Sequence, residues 1–150
     1  MQERLARQIA FLVEADKLKS IIRRTSLVDQ SRRENSAEHS WHLVLAIMVM
    51  REYGPPRIDW MRVMEMVAVH DLVEIDAGDV SAYNVDALKA VREQAAADRI
   101  FALLPPDQTE RFRQLWDEFE AHATPEARFA NAVDRLQPLL QNAHGAGGSW

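Results

Sequence analysis

Cysteine is absent from all 150 residues, which excludes disulfides and thiolate metal sites. Long apolar runs are missing as well. The longest, LVLAIMVM at 43–50, is far too short to span a bilayer. Basic charge is in deficit: 18 Lys and Arg face 23 Asp and Glu, for a formal net charge of −5. Polymeric nucleic acid is recognised through clustered cations, so it is disfavoured as a partner. The doublets Arg23–Arg24 and Arg32–Arg33 are the local basic concentration, suited equally to a small phosphate or to a solvated surface. The opening MQERLARQIA mixes both charge signs without a signal-peptide core or cleavage site, so a cytoplasmic, membrane-free protein is expected. Neither an alternating strand pattern nor an internal repeat is found.

What is present is helical periodicity, almost throughout. Residues 1–150 are expected to form one domain of the all-α class, with about six helices and short connections. Leu5, Ile9, Leu12 and Val13 mark an amphipathic first helix, broken near Asp16, with Leu18, Ile21 and Ile22 following. Polar residues 23–36 read as an unusually long connecting loop, a feature often tied to function. Ser36 is the expected N-cap of a helix running to about Tyr53, and Asp59 caps the next. Asn84 is placed to cap a fourth helix reaching Leu104. A fifth carries Phe112, Leu115, Trp116 and Phe119 on one stripe, which serves either the core or a subunit interface. Thr124 and Pro125 open a sixth, with Phe129, Val133, Leu136 and Leu140 as its expected core face. Pro138 removes the amide that would bond the carbonyl of residue 134, loosening the helix there. The glycine-rich end, NAHGAGGSW, reads as a linker into a further segment.

The stretch AVHDLVEIDAGDV at 68–80 sets His70, Asp71, Glu74 and Asp79 among apolar residues. Buried carboxylates need compensation. On a regular helix His70, Asp71 and Glu74 project from one sector. His39 in SAEHSWH and Asp134 in FANAVDRLQPLL occupy comparable positions on other helices. Two imidazoles and two carboxylates make a sensible shell for a divalent cation. A His–Asp pair inside a helical core is more commonly a structural hydrogen bond, and that reading stands beside the metal one.

The order EHS, VHDLVEIDAGDV and AVDRL resembles the HD-domain phosphohydrolases, closest to their 5′-deoxyribonucleotidase branch. The likeness runs from LKSIIRR through AVDRL and implies a helical bundle around a metal site. It implies that His39, His70, Asp71 and Asp134 are the ligands of one divalent ion, drawn from Mn, Co, Fe, Ni, Zn or Mg. It further implies Glu74 as the catalytic acid/base, Asp79 as the acid that assists at the substrate, and Arg24 as a substrate contact. Thr25 departs from the pattern, because the bacterial deoxynucleotidases carry a sugar-selecting Trp there. The implied substrate is a (deoxy)nucleoside 5′-monophosphate, with another small phosphomonoester, or a metal-containing binding module without turnover, as the alternatives. Relatives of this kind are commonly homodimers. His42 is expected to stay off the metal and His122 to be solvated, which leaves too few histidines for a second ion.

Overall fold

The computed structural model describes residues 1–79 and 87–148. Helix α1 (Gln2–Ala15) passes into a 3₁₀ turn at Asp16–Ser20 and then into strands β1 (Ile22–Ser26) and β2 (Arg33–Asn35). Helices α2 (Ser36–Met50), α3 (Trp60–Val69), the one-turn α4 (Glu74–Ala77), α5 (Ala87–Phe101), α6 (Pro106–Ala121) and α7 (Pro125–His144) complete it. The all-α class holds. The Asn84 cap and residues 80–86 lie outside the described residues.

Where a plain loop was expected, residues 22–35 form an antiparallel hairpin, a correction to the strand-free reading. Its register carries an irregularity between the Ile22–Asn35 and Ser26–Arg33 pairs. A two-stranded pairing this short and this polar leaves no alternation to read. Turn bonds from Gln30 N to Leu27 O and from Leu27 N to Arg32 O close it, with Gln30 in the left-handed region. The α2 cap is Asn35 rather than Ser36. Its side chain accepts from Glu38 N while Glu38 accepts from Asn35 N, a capping box. Ser36 is thereby released to point inward. The Asp59 and Thr124 caps are present as expected, accepting from Arg62 N and Ala127 N.

Two further expectations change. The α1 stripe is not core: Leu5, Ile9, Leu12 and Val13 are exposed, and Phe11 is the buried residue of that helix. On α7 the buried face carries Ala127, Ala130, Val133, Gln137 and Gln141, while Leu140 is exposed and Leu136 half-buried. Polar partners on β2 and α2 face this end of α7, so amides replace the expected leucines there. Pro138 sits within α7, which runs on to His144.

Helix α2 packs on α3 and α7, and α3 packs on both α6 and α7. Val63, Met66 and Val67 of α3 therefore sit at the centre with no exposed surface. Leu115, Trp116 and Phe119 are buried in the same cluster. The α6 stripe is core, so it is not available as a subunit interface. No helix among the described residues is long and apolar enough to cross a membrane.

Candidate metal centre

Helix α3 does not continue through the His–Asp pair, as a regular helix would have it. After the His70 N to Met66 O bond, the chain tightens into three-residue bonds: Leu72 to Val69, Glu74 to Asp71 and Ile75 to Leu72. Side chains three apart eclipse in such a turn. Asp71 and Glu74 are thus brought onto one side. Gly78, at φ 76°, ends α4 in a conformation that suits glycine, and Asp79 follows at the edge of the site.

His39 enters from the first turn of α2 and Asp134 from the middle of α7. His39 Nε2 lies 2.7 Å from Asp134 Oδ1, and His70 Nε2 lies 3.1 Å from Asp71 Oδ1 and 3.4 Å from Asp134 Oδ1. His39, His70 and Asp71 each offer a ligand atom, and these atoms lie within 4.8 Å of one another. All four expected ligands therefore converge.

Hydrogen bonding on the far side of each ring decides what faces inward. His70 Nδ1 is 2.7 Å from the Val67 carbonyl, which only accepts, so Nδ1 carries the proton. His70 Nε2 then turns a lone pair toward two carboxylates, and it is buried without a hydrogen-bond partner. His39 Nδ1 lies 2.9 Å from Gln137 Oε1, with the same consequence at Nε2. Lone pairs directed at carboxylate oxygens repel unless a proton or a cation lies between them. The donor set of two imidazoles and two carboxylates fits a divalent ion of the borderline class.

Electrostatics report the same demand. Burial works against charging His70, yet Asp71 and Asp134 outweigh it and raise its pKa to about 10. Asp134 is held well below the carboxylate range: burial opposes this, but His70 and His39 prevail. Glu74 is pushed up to about 9 by burial and then by Asp71, against the Ser36 hydroxyl, which donates to Glu74 Oε2 at 2.6 Å.

Beside the cluster opens a cavity of about 440 Å³ whose wall includes Arg23, Arg24, Thr25, Glu74, Asp79 and Arg135. Arg24 reaches it from the exposed side of β1, whereas Thr25 is buried. Arg23 was missed by sequence reasoning. Its Nη1 stands 3.2 Å from Asp71 Oδ2 and its Nε 3.3 Å from Glu34 Oε2, which ties the hairpin to the centre. The doublet RR was the available signal; which arginine turns inward depends on the hairpin. Lys89, Glu93 and Glu120 form another wall, and burial followed by Glu93 raises Glu120 to about 7. His122 lines this cavity too, in the left-handed region of the backbone, while half-buried His42 meets Gln137 instead of the cluster. A second cavity of about 490 Å³ lies against α1, α5 and α6, where the Arg7 guanidinium is taken up by the carbonyls of Ala102 and Leu103.

Fold and site together define an all-α protein with a candidate His/Asp metal centre. The chain belongs to the HD-domain family, whose model matches residues 15–150. It is similar to human 5′-deoxynucleotidase HDDC2, at 30% identity over 112 residues, covering 73% of this chain and 53% of the human protein. Schizosaccharomyces pombe 5′-deoxynucleotidase hdd1 is 26% identical, over 72% of this chain and 56% of its own length. The chain thus spans about half the length of the curated relatives it matches. Among solved structures, a predicted metal-dependent phosphohydrolase of Magnetospirillum magnetotacticum superposes with TM-score 0.93 at 51% identity, covering 99% of this chain and 77% of the other. An HD-domain phosphohydrolase of Listeria innocua shares the fold at TM-score 0.65 and 16% identity, over 89% of this chain and 67% of its own.

Proposed function

We propose that this chain is a metal-dependent phosphomonoesterase that hydrolyses nucleoside 5′-monophosphates, deoxynucleotides among them, to nucleoside and phosphate. One observation carries the reading: two buried imidazole lone pairs and two carboxylates converge at the wall of a cavity that also presents arginines and an acid of raised pKa. The names of the relatives, two of them 5′-deoxynucleotidases, support it.

His39, His70, Asp71 and Asp134 would hold one divalent ion. When bound, such an ion supplies Lewis acidity, offsetting charge on phosphoryl oxygens and making water a better nucleophile near neutral pH. The remaining work falls to the chain itself. Arg23 and Arg24 face the cavity with guanidinium groups that can clamp a phosphate through paired donors. Arg23 is fixed by Asp71 and Glu34, whereas Arg24 is exposed and free to move onto a substrate. Glu74 lines the cavity, where burial and then Asp71 favour its neutral form; in that form it can deliver a proton to the departing 5′-oxygen as the P–O bond breaks. Ser36 holds one Glu74 oxygen, which leaves the other for the leaving group. Asp79, at the cavity edge, is placed to accept from a sugar hydroxyl. A second reading, another small phosphomonoester as substrate, draws on Thr25. It is 7% exposed and offers no aromatic surface against a sugar.

The test is phosphate release by purified protein of measured metal content, with several divalent ions supplied. Substrates are dAMP, AMP and simple sugar phosphates. Turnover of the nucleotides is expected. Turnover of sugar phosphates alone would replace the substrate assignment, and a protein that neither holds nor responds to any ion would end the enzyme reading.

A further inference from the structure

Glu34 is 2% exposed on β2, and it takes no part in the cluster of ligand atoms. Its Oε1 accepts from Gln137 Nε2 at 2.7 Å and from Gln141 Nε2 at 3.0 Å. Its Oε2 lies 3.3 Å from Arg23 Nε, and Arg23 in turn reaches Asp71. An ionised carboxylate only accepts, so the Gln137 amide must turn its nitrogen toward Glu34 and its oxygen toward His39. Gln137 Oε1 can then be met only by a protonated His39 Nδ1, at 2.9 Å. His39 Nε2 is then the ring nitrogen turned toward Asp71 and Asp134, at 3.9 and 2.7 Å, where a proton or a cation lies between. Donor and acceptor count orients the Gln137 amide and puts a proton on His39 Nδ1. The amide of an isolated glutamine would face either way.

We propose that Glu34 and Gln137 are positioning residues that fix His39 with Nδ1 protonated and Nε2 toward the metal centre before any ion arrives. One carboxylate does two tasks: through Gln137 it sets a histidine ligand, and through Arg23 it holds an aspartate ligand. The inference rests on the metal-centre reading above. A buried ion pair that merely pins the hairpin to α7 is the competing account.

Reversal of polarity separates the two. Gln137→Glu sets carboxylate against carboxylate and should weaken divalent-ion binding, measured with Zn²⁺ and Mn²⁺ against a competing chelator, by about 10–100-fold, the usual cost of losing such outer-sphere support. Adding Glu34→Gln restores the pattern in mirror form. The amide now on β2 can donate to the carboxylate now on α7, and that carboxylate can accept from His39. The double variant should recover most of the affinity. Gln137→Met leaves Glu34 with Arg23 and Gln141 and keeps the shape of the side chain. It should remain folded, with a melting temperature lowered by the polar groups left unpaired, yet bind ions as weakly as Gln137→Glu. Unchanged affinity in a folded Gln137→Met protein, or a double variant that recovers nothing, overturns the proposal. If the wild type binds no ion, the metal reading itself falls. Nitrogen-15 histidine spectra of the ion-free protein then decide the positioning alone. A hydrogen-bonded Nδ1 proton on His39 that is lost in Gln137→Met sustains it, and a spectrum that does not change refutes it.

Discussion

Between α1, α5 and α6 the interior is filled by rings and aliphatic chains. Phe11 meets Phe112 edge-on at 5.5 Å between ring centres, Phe112 meets Phe101 at 6.3 Å, and Ile100 and Leu115 are buried in the same cluster. Between β2, α2 and α7 equally deep burial is filled by Glu34, Ser36, His39, Gln137 and Gln141. The first region gains from every contact and tolerates exchange among apolar groups of similar size. The second gains little net stability, because each polar group forfeits water before it finds a partner. What the second region obtains is direction. A hydrogen bond decides which way an amide or a ring faces, and apolar packing cannot.

The two regions should therefore fail differently. Glu74→Ala is expected to give the largest effect, a loss of about 10²–10⁴-fold in kcat, the usual worth of a positioned proton donor. Metal content should stay intact and the unfolding midpoint should not fall, since the deleted acid is desolvated and sits beside Asp71. Loss of the metal in this variant would mean that Glu74 is a ligand. Phe101→Ala is the counterpart on the apolar side. With the ring 1% exposed, truncation should cost about 3–5 kcal/mol of stability in urea titration, with ion affinity preserved in the folded fraction. A drop in ion affinity at that distance would blur the division between the regions.

Legibility in the sequence follows the same division. Helices announced themselves through apolar period and caps, as at Asp59, Thr124 and Pro125. Metal-ligand candidates were legible because His39, His70, Asp71 and Asp134 are costly residues in apolar helices. The hairpin was not legible, since short polar strands carry no period. Arg23 and Glu34 were missed for the same reason, since their places depend on which way the hairpin turns, and Gln137 on α7 was missed because its partner Glu34 comes from that hairpin. The Leu136–Leu140 face was misread because periodicity ranks residues by apolarity, while the facing surface at that end of α7 is a carboxylate and two histidines. The α1 stripe was misread in the opposite sense, apolar by pattern yet exposed in the folded chain.

The polar region also predicts a dependence on pH that the apolar region lacks. In ion-free protein His70 is raised from 6.5 to about 10, so its folded state holds a proton that the unfolded chain releases. Such a group stabilises fully below about pH 6.5 and loses its contribution as pH climbs through about 10. Glu74, raised from 4.5 to about 9, acts in the same direction. Urea midpoints in chelator should therefore fall between about pH 6 and about pH 10. With a divalent ion present the fall should shrink or reverse, because ligand protons leave when an ion binds. Parallel curves with and without the ion would show that these lone pairs do not share one occupant.

The smallest effect is expected where the same chemistry meets water. Arg4 grips Asp107 through two bonds of 2.7 and 2.9 Å, closer than Arg23 stands to Asp71. Yet both side chains of the outer pair are largely exposed, at 49% and 64%. Solvent screens that pair and takes over its hydrogen bonds when it opens, whereas nothing replaces Arg23 behind Asp71. The Arg4 hydrogen bond lowers the Asp107 pKa to about 2, so the contribution of the pair is present above about pH 3.8 and vanishes as pH falls through about 2. Asp107→Asn should leave the urea midpoint at neutral pH nearly unchanged and alter only the acid limb of the stability curve. Arg23→Gln, with longer bonds in the wild type, should change ion affinity and stability together. If the two substitutions proved equal, bond length rather than burial would be ranking these pairs.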